Sequence, residues 1–246
     1  MVFQLFVNGI KKILNKQGYQ VNKVLPAVIL NNKKASFSQC GEDLIVDYIF
    51  KLRNISMPSY IDIGAHDPYY LNNTAIFYQR GCRGINIEAN PHLMENFDQN
   101  RAEDLNINIG ISDQEGELDF YIMKDNTLST FSKSEYDFMI ENGKDLLQIE
   151  KIRLTTIKAI LEKYCKGIFP DFLSLDVEGM DLRIIQSIDF SRSSPKVICV
   201  EAAEYSPIGA GARRTELLDF LVTKGYYEYG NTNLNAILVK RDFWFS

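Results

Sequence analysis

Apolar and polar positions along this chain change period repeatedly, from the three-to-four spacing of a helix to short unbroken apolar runs. Residues 2–17 set Phe3, Phe6, Ile10, Ile13 and Leu14 at helical spacing with lysines elsewhere, so they read as an amphipathic helix. Its apolar face is expected to pack on its own domain, with a partner or a membrane surface as the alternative. Residues 18–35 read as an irregular connection containing Pro26, which makes 1–35 an N-terminal helical extension and 36–246 the main domain.

From residue 43 onward helices and strands alternate. A helix is predicted over 43–52, with Leu44, Val46, Ile49 and Phe50 among its apolar positions. Tyr60-Ile61-Asp62-Ile63 is a short apolar run stopped by Gly64, as expected of a buried parallel strand. A helix over 74–80 closes at Gly81. Strands follow at 84–88, 107–111 and 118–123, the last on the sheet margin, with a helix over 91–100 between the first two. The polar stretch 124–150 breaks the rhythm and reads as a loop with a short helix over the site. Beyond it come a small strand at 152–154, a helix over 156–164 and a strand at 172–176. A helix over 181–188, a strand at 197–201 and a helix over 214–224 follow. Strands at 226–229 and 236–240, around Gly230-Asn231, end the chain as a hairpin. The order predicts an α/β fold, a mainly parallel sheet with helices on both faces and an antiparallel strand at its end. Ligands of such sheets bind beyond the carboxyl ends of the strands, where the strand order reverses.

Composition narrows the function. The 246 residues, 46% of them hydrophobic, suffice for one well-covered α/β domain. A balance of 27 basic and 32 acidic residues argues against nucleic acid as a partner, since basic stripes supply most of that affinity. No run approaches the ~18 apolar residues of a transmembrane segment. Lys11 and Lys12 interrupt the N-terminal apolar run and no small-residue cleavage site follows, so a cytoplasmic protein is expected. Cys40, Cys82, Cys165 and Cys199 are scattered, with only His66 and His92 beside them, which leaves no zinc pattern.

The chemistry gathers in carboxylates. Asp62, Glu88, Asp176 and Glu201 stand at or near the carboxyl ends of four predicted strands, and Asp113 closely follows a fifth. Acids so placed converge on one sheet edge, where an external charge or donor offsets the cost of burial. The first turn, Asp62-Ile63-Gly64-Ala65-His66-Asp67-Pro68, lacks the second and third glycines of a dinucleotide-binding turn. Its carboxylates repel a pyrophosphate, which excludes a nicotinamide oxidoreductase, and suit a ligand carrying a sulfonium and an ammonium. Glu88 lies 26 residues (88 − 62) beyond Asp62, where an acid accepts ribose hydroxyls.

Ser38-Gln39-Cys40-Gly41-Glu42-Asp43, the turn from Tyr60 to Pro68, Asn73-Thr74, Ile87-Glu88-Ala89-Asn90-Pro91 and Leu175-Asp176-Val177-Glu178-Gly179 together resemble the motifs of the FkbM methyltransferases, in order. The resemblance spans roughly residues 36–240. It implies a Rossmann-like class I methyltransferase fold with a seven-stranded sheet, S-adenosylmethionine as donor, and O-methylation of a sugar or other small-molecule or glycan acceptor. It also implies that Asp62, Gly64 and Ala65 line the methionine end of the cofactor and that Glu88 holds the ribose. Asn90 would sit beside Glu88, and Ser112 with Asp113 would approach the adenine. Asp67-Pro68 stands where many class I methyltransferases carry further glycines.

Because a sugar hydroxyl is a poor nucleophile, a base or a metal is expected to help it lose its proton. Asp176 or Glu178 fills that role, with Glu201 in support; His66 is a further candidate base or a loop hydrogen-bonder. Asp176, Glu201 and Glu204 supply oxygen ligands suited to magnesium or calcium. Glu178 could equally cap the helix that follows it. Asn73 and Thr74, with Asn72, contact the cofactor or substrate or else cap a helix. Segment 124–150, with Thr127, Ser129 and Tyr136, and the 205–214 loop with Arg213 and Arg214 are candidate acceptor lids. The competing reading is a non-catalytic module that keeps the fold and binds cofactor or carbohydrate.

Overall fold

Short runs of isoleucine, leucine and valine form the centre of the sheet. In the computed structural model, which describes residues 11–14, 16–17, 33–177, 179–203 and 211–246, seven strands run in the order β3-β2-β1-β7-β8-β10-β9. They are β1 (Tyr60–Ile63), β2 (Gly84–Glu88), β3 (Leu105–Asn108), β7 (Phe172–Leu175), β8 (Val197–Glu201), β9 (Tyr226–Asn231) and β10 (Asn235–Lys240). The first five are parallel, and β10 runs antiparallel between β8 and β9. This is the expected Rossmann-like α/β architecture, with a mainly parallel seven-stranded sheet and an antiparallel strand at its end. The order reverses between β1 and β7, so the switch point lies beyond the ends of those two strands.

The two-residue period of the strands sorts side chains between the sheet faces. Ile61, Ile63, Leu173, Leu175, Ile198 and Val200 pack under α5 (Ile157–Tyr164), α6 (Asp181–Ser187) and α7 (Thr215–Thr223). Tyr60, Phe172, Val197 and Cys199 meet α1 (Glu42–Leu52) and α2 (Ala75–Gln79) on the other face. With 5 and 7 residues, α2 and α6 are far below the ~12–15 residues at which an isolated helix becomes marginal. Burial of Phe77, Ile184 and Ile185 holds them, each side chain contributing about 1.5–3 kcal/mol. A closing helix, α8 (Arg241–Phe245), carries Phe243 and Trp244 onto the α1 face.

Four details differ from the sequence expectation. The strand expected at 107–111 is two: the chain leaves the main sheet after Asn108 and enters a second sheet at β4 (Gly110–Ser112). That second sheet, of order β4-β6-β5, takes β5 (Gly116–Met123) away from the margin of the first. The stretch read as a loop with a short helix does hold a helix, α4 (Lys133–Glu141), but also a 3-10 turn (Asn126–Leu128) and the start of β6 (Leu146–Thr156). Long strands β5 and β6 pair antiparallel along their length, a non-local contact that period alone does not reveal. The final turn falls at Thr232-Asn233-Leu234 with Asn233 at φ 74°, which places Gly230 and Asn231 inside β9.

The chain divides into two compact units, Met1–Ala35 and Ser36–Ser246. Most of the helix expected over 2–17, and the connection through Pro26, lie outside the described residues. Among the described residues no helix is long and apolar enough to cross a membrane.

A polar network is sealed inside the main unit. Arg101, just after α3 (Pro91–Asn100), is 0% exposed. Its Nε donates to Asp104 Oδ2 at 2.9 Å, Nη1 to Asn72 Oδ1 at 3.1 Å, and Nη2 to Tyr60 Oη at 2.9 Å and Thr74 Oγ1 at 3.0 Å. Asp104 also accepts from Tyr60 Oη at 2.7 Å and from the Gly84 amide at 2.8 Å. A buried guanidinium is tolerated only when its donors are matched in this way. Arg101→Met is expected to lower unfolding free energy by about 3–5 kcal/mol, because Asp104 is left charged and buried. Urea denaturation measures this, and a loss below about 1 kcal/mol would show the network to be dispensable.

Candidate active site

A cleft of about 530 Å³ opens beyond the carboxyl ends of β1, β2, β7 and β8. That size falls within the ~300–1,000 Å³ of small-molecule sites. Asp62, Glu88, Asp176 and Glu201 all line it, so the fold brings the four strand-end acids together.

The turn after β1 forms its floor. The Gly64 and Ala65 amides donate to the Ile87 carbonyl of β2 at 2.9 and 3.2 Å, and the Asp176 amide donates to the Ile63 carbonyl at 3.0 Å. Gly64 holds φ 76°, and a Cβ there would lie 1.7 Å from the Asp176 carbonyl oxygen. The glycine is therefore required by the backbone of the neighbouring turn, whatever ligand approaches. His66, at φ 58°, turns its amide onto Glu88 Oε2 at 2.9 Å.

Asp62 is buried and faces inward from the α2 side of the sheet. Its Oδ2 accepts from Thr74 Oγ1 at 2.8 Å and from Asn72 Nδ2 at 3.2 Å. Burial raises its pKa, against the opposing charge of Arg101. Asn72 Oδ1 accepts the Thr74 and Ala75 amides at 2.9 and 2.8 Å, so Asn72 caps α2. Thr74 is 0% exposed and does not line the cleft; it holds Asp62 in place. Asn73 does line it, donating Nδ2 to Ser174 Oγ at 3.2 Å.

Glu88 is fixed through both oxygens, with Oε1 accepting the Asn90 amide at 2.8 Å and Oε2 the His66 amide. Burial raises its pKa while these amides pull it down. Asn90 Oδ1 accepts the His92 amide at 3.1 Å and caps α3, outside the cleft. Ser112 and Asp113 are also outside it: Ser112 is buried and donates to Asp113, which pairs with Arg183 at 2.8 Å. The cleft wall beside Glu88 is instead apolar. Ala89 packs with Phe120 and Phe131, whose rings lie 4.5 Å apart, and Ile109 with Ile111 extends the surface.

Thr127 and Ser129 of the 124–150 stretch line the cleft together with Asp125. Tyr136 is turned away and stacks on Tyr121 at 4.3 Å. Asp176, open to the cleft, has its pKa raised to about 7, first by the surrounding protein and then by the Asp181 carboxylate. His66 is held below the usual histidine range by burial, which leaves a neutral imidazole at pH 7. Glu201 Oε2 lies 2.8 Å from Arg214 Nη1. Glu178, Glu204 and most of the 205–214 loop lie outside the described residues. Among the described residues no three histidine, cysteine or acidic side chains gather as a metal cage.

Sequence reasoning missed Arg101 and Asp104, because a lone arginine after a helix reads as surface. Glu42, within the Ser38–Asp43 motif, is 0% exposed and accepts from Thr232 Oγ1 at 2.5 Å and Asn235 Nδ2 at 3.0 Å, which ties α1 to the turn before β10. Burial opposes the charge on Glu42, but these donors and the Cys40 amide hold its pKa below the ordinary value.

Gly64→Ala is expected to leave little folded protein, since neither its φ nor its 1.7 Å clash with backbone can relax cheaply. A thermal midpoint within a few degrees of the parent would refute that account. The Asp176 carboxyl should titrate near neutrality by carbon-detected NMR rather than in the usual aspartate range. Its folded pKa is raised, so the folded state holds this proton more tightly. The Asp176 contribution to stability therefore falls as pH rises from about 4 to 7.

Among curated proteins none matches the chain in sequence. Solved structures that resemble it include a putative caffeoyl-CoA O-methyltransferase from Staphylococcus aureus, at 14% identity and TM-score 0.45, covering 96% of this chain and 99% of that one. Another is a precorrin-6y C5,15-methyltransferase from Geobacter metallireducens GS-15, at 14% identity and TM-score 0.39, covering 80% and 85%. The model of the methyltransferase FkbM domain matches residues 62–227, more than half of the chain. That match begins at the first strand-end acid and runs through both sheets to β9, and the chain belongs to the FkbM methyltransferase family, whose members take their methyl group from S-adenosylmethionine.

Proposed function

We propose that this methyltransferase transfers the methyl group to a hydroxyl oxygen of a sugar or glycan-type acceptor, with Asp176 as the base. The observation that carries the reading is the meeting of four strand-end acids in one cleft that has an apolar wall beside Glu88. The residues present fit the donor. Glu88, with one amide on each oxygen, keeps lone pairs free for a vicinal diol. The Phe120 and Phe131 wall suits a flat heteroaromatic ring, and Asp62 faces the cleft as a counter-charge for a cation. This assignment replaces Ser112 and Asp113 with the apolar wall at the adenine end.

Bound S-adenosylmethionine supplies a methyl group already activated by its sulfonium, so the protein has to place the acceptor in line with it. Asp176, raised to about 7, is partly ionised at neutral pH and matched to accept the hydroxyl proton as the new carbon–oxygen bond forms. Neutral His66, on the same floor, is the second group able to take a proton there. Asn73, Thr127 and Ser129 offer hydrogen bonds to further acceptor hydroxyls.

Calorimetry with S-adenosylhomocysteine tests the cofactor half, with micromolar binding expected for the parent and none for Glu88→Ala. Methyl transfer to a panel of sugars tests the acceptor half. Asp176→Asn should bind the cofactor normally and lose about 100-fold or more in turnover. Full activity in that variant would remove Asp176 as base, and binding without transfer to any hydroxyl would favour a non-catalytic module.

A further inference from the structure

Neighbouring arginines 213 and 214 part company in the fold. Arg213 pairs with Glu228 on the exposed side of β9. Arg214, with a side chain 16% exposed, turns inward after the 211–214 segment returns beside β8, its amide donating to the Ala202 carbonyl at 2.8 Å.

There one guanidinium meets carboxylates from three separate elements. Arg214 Nη1 lies 3.0 Å from Asp181 Oδ2 on α6 and 2.8 Å from Glu201 Oε2 at the end of β8, and Nη2 lies 3.9 Å from Glu135 Oε1 on α4. Three acids would repel one another without the cation among them. A planar fork can serve several at once, whereas the point charge of a lysine cannot.

Each partner leads into the site. Asp181, 1% exposed, uses its other oxygen to accept the Val177 amide at 3.2 Å, which closes the turn that begins at Asp176. Glu135 lies against the same turn, where Gly179 takes φ 80° and a Cβ would come within 2.9 Å of Glu135 Oε1. Its Oε2 accepts from Thr130 Oγ1 at 2.8 Å, between the cleft-lining residues Ser129 and Phe131. Glu201 lines the cleft directly. The Asp181 and Glu201 arms are short, and the Glu135 arm is a longer ion pair that crosses from the main sheet to the inserted one.

We infer that Arg214 is a positioning residue of this site: through Asp181 it sets the turn carrying Asp176, and through Glu135 it holds the β5–β6 insertion against that turn. The catalytic consequence rests on the reading of Asp176 as base; the mechanical linkage does not.

The test uses the full chain without substrate. Hydrogen exchange by mass spectrometry is followed in the parent, Glu135→Gln, Arg214→Lys and Arg214→Gln. Glu135→Gln should speed exchange over 126–139 about two- to fivefold, the range of a partly exposed ion pair, and leave β1 and β7 as slow as in the parent. Arg214→Lys should do the same while keeping the Asp176 NMR midpoint near the parental value, because its charge remains. Arg214→Gln should speed exchange in both 126–139 and 177–182 and move the Asp176 midpoint upward, since Arg214 opposes that rise. A merely structural role would speed exchange throughout the sheet and leave no difference between lysine and glutamine. Unchanged exchange over 126–139 in Glu135→Gln, or parental behaviour of Arg214→Gln in both readouts, would overturn the inference. If Arg214→Gln does not fold, the Glu135→Gln and Arg214→Lys pair decides it. S-adenosylhomocysteine titration of the parent is read separately, so failure of the methyltransferase site leaves the exchange result intact.

Discussion

One fully buried guanidinium holds the β1 and α2 side of the cleft in register. Arg101 reaches Tyr60 on β1, Asp104 before β3, and Asn72 with Thr74 at the start of α2, and stacks near the rings of Tyr78 and Phe97. Desolvating such a charge costs several kcal/mol, so the network is stable only when every arm is made. Asn72 and Thr74 are the residues that bond Asp62. The geometry of the first strand-end acid thus depends on an arginine that never touches the cleft.

A second constraint is steric. The carbonyl of Asp176 occupies the space where a side chain at residue 64 would begin. The turns after β1 and β7 are locked backbone to backbone, and Asp62 and Asp176 are brought into one cleft as a consequence. Parallel strands make this possible, because all their carboxyl ends face the same way.

Electrostatics then separates the acids by role. Glu88 is neutralised in part by two amides, Asp62 by hydrogen bonds and the field of Arg101, and Glu201 by Arg214. Asp176 has its pKa raised to about 7 by burial and by the Asp181, Asp62 and Glu88 carboxylates, with Arg214 opposing the rise. The same crowding that makes Asp176 costly to ionise makes it suited to accept a proton. Such tuning is a property of the assembled edge and of no strand alone.

The strands, their parallel order and the acids at their ends were legible in the sequence, because burial on both faces leaves unbroken apolar runs and Gly64 marks the turn. Family motifs added the methyl donor. The inserted sheet was not legible: β5 and β6 pair across a polar stretch, and their alternation depends on partners far away in the chain. Nor could spacing separate side chains that line the cleft, such as Asn73, from those that brace it, such as Thr74 and Asn90, since both kinds are polar residues beside a helix start. Arg101 reads as surface charge and Arg214 as part of a candidate acceptor lid, and only the packing around them shows which carboxylates each one holds. Local pattern therefore determined which residues form strands and which ends carry carboxylates. Tertiary structure alone decided which polar groups are desolvated together, because burial is set by what the rest of the chain places on top of them.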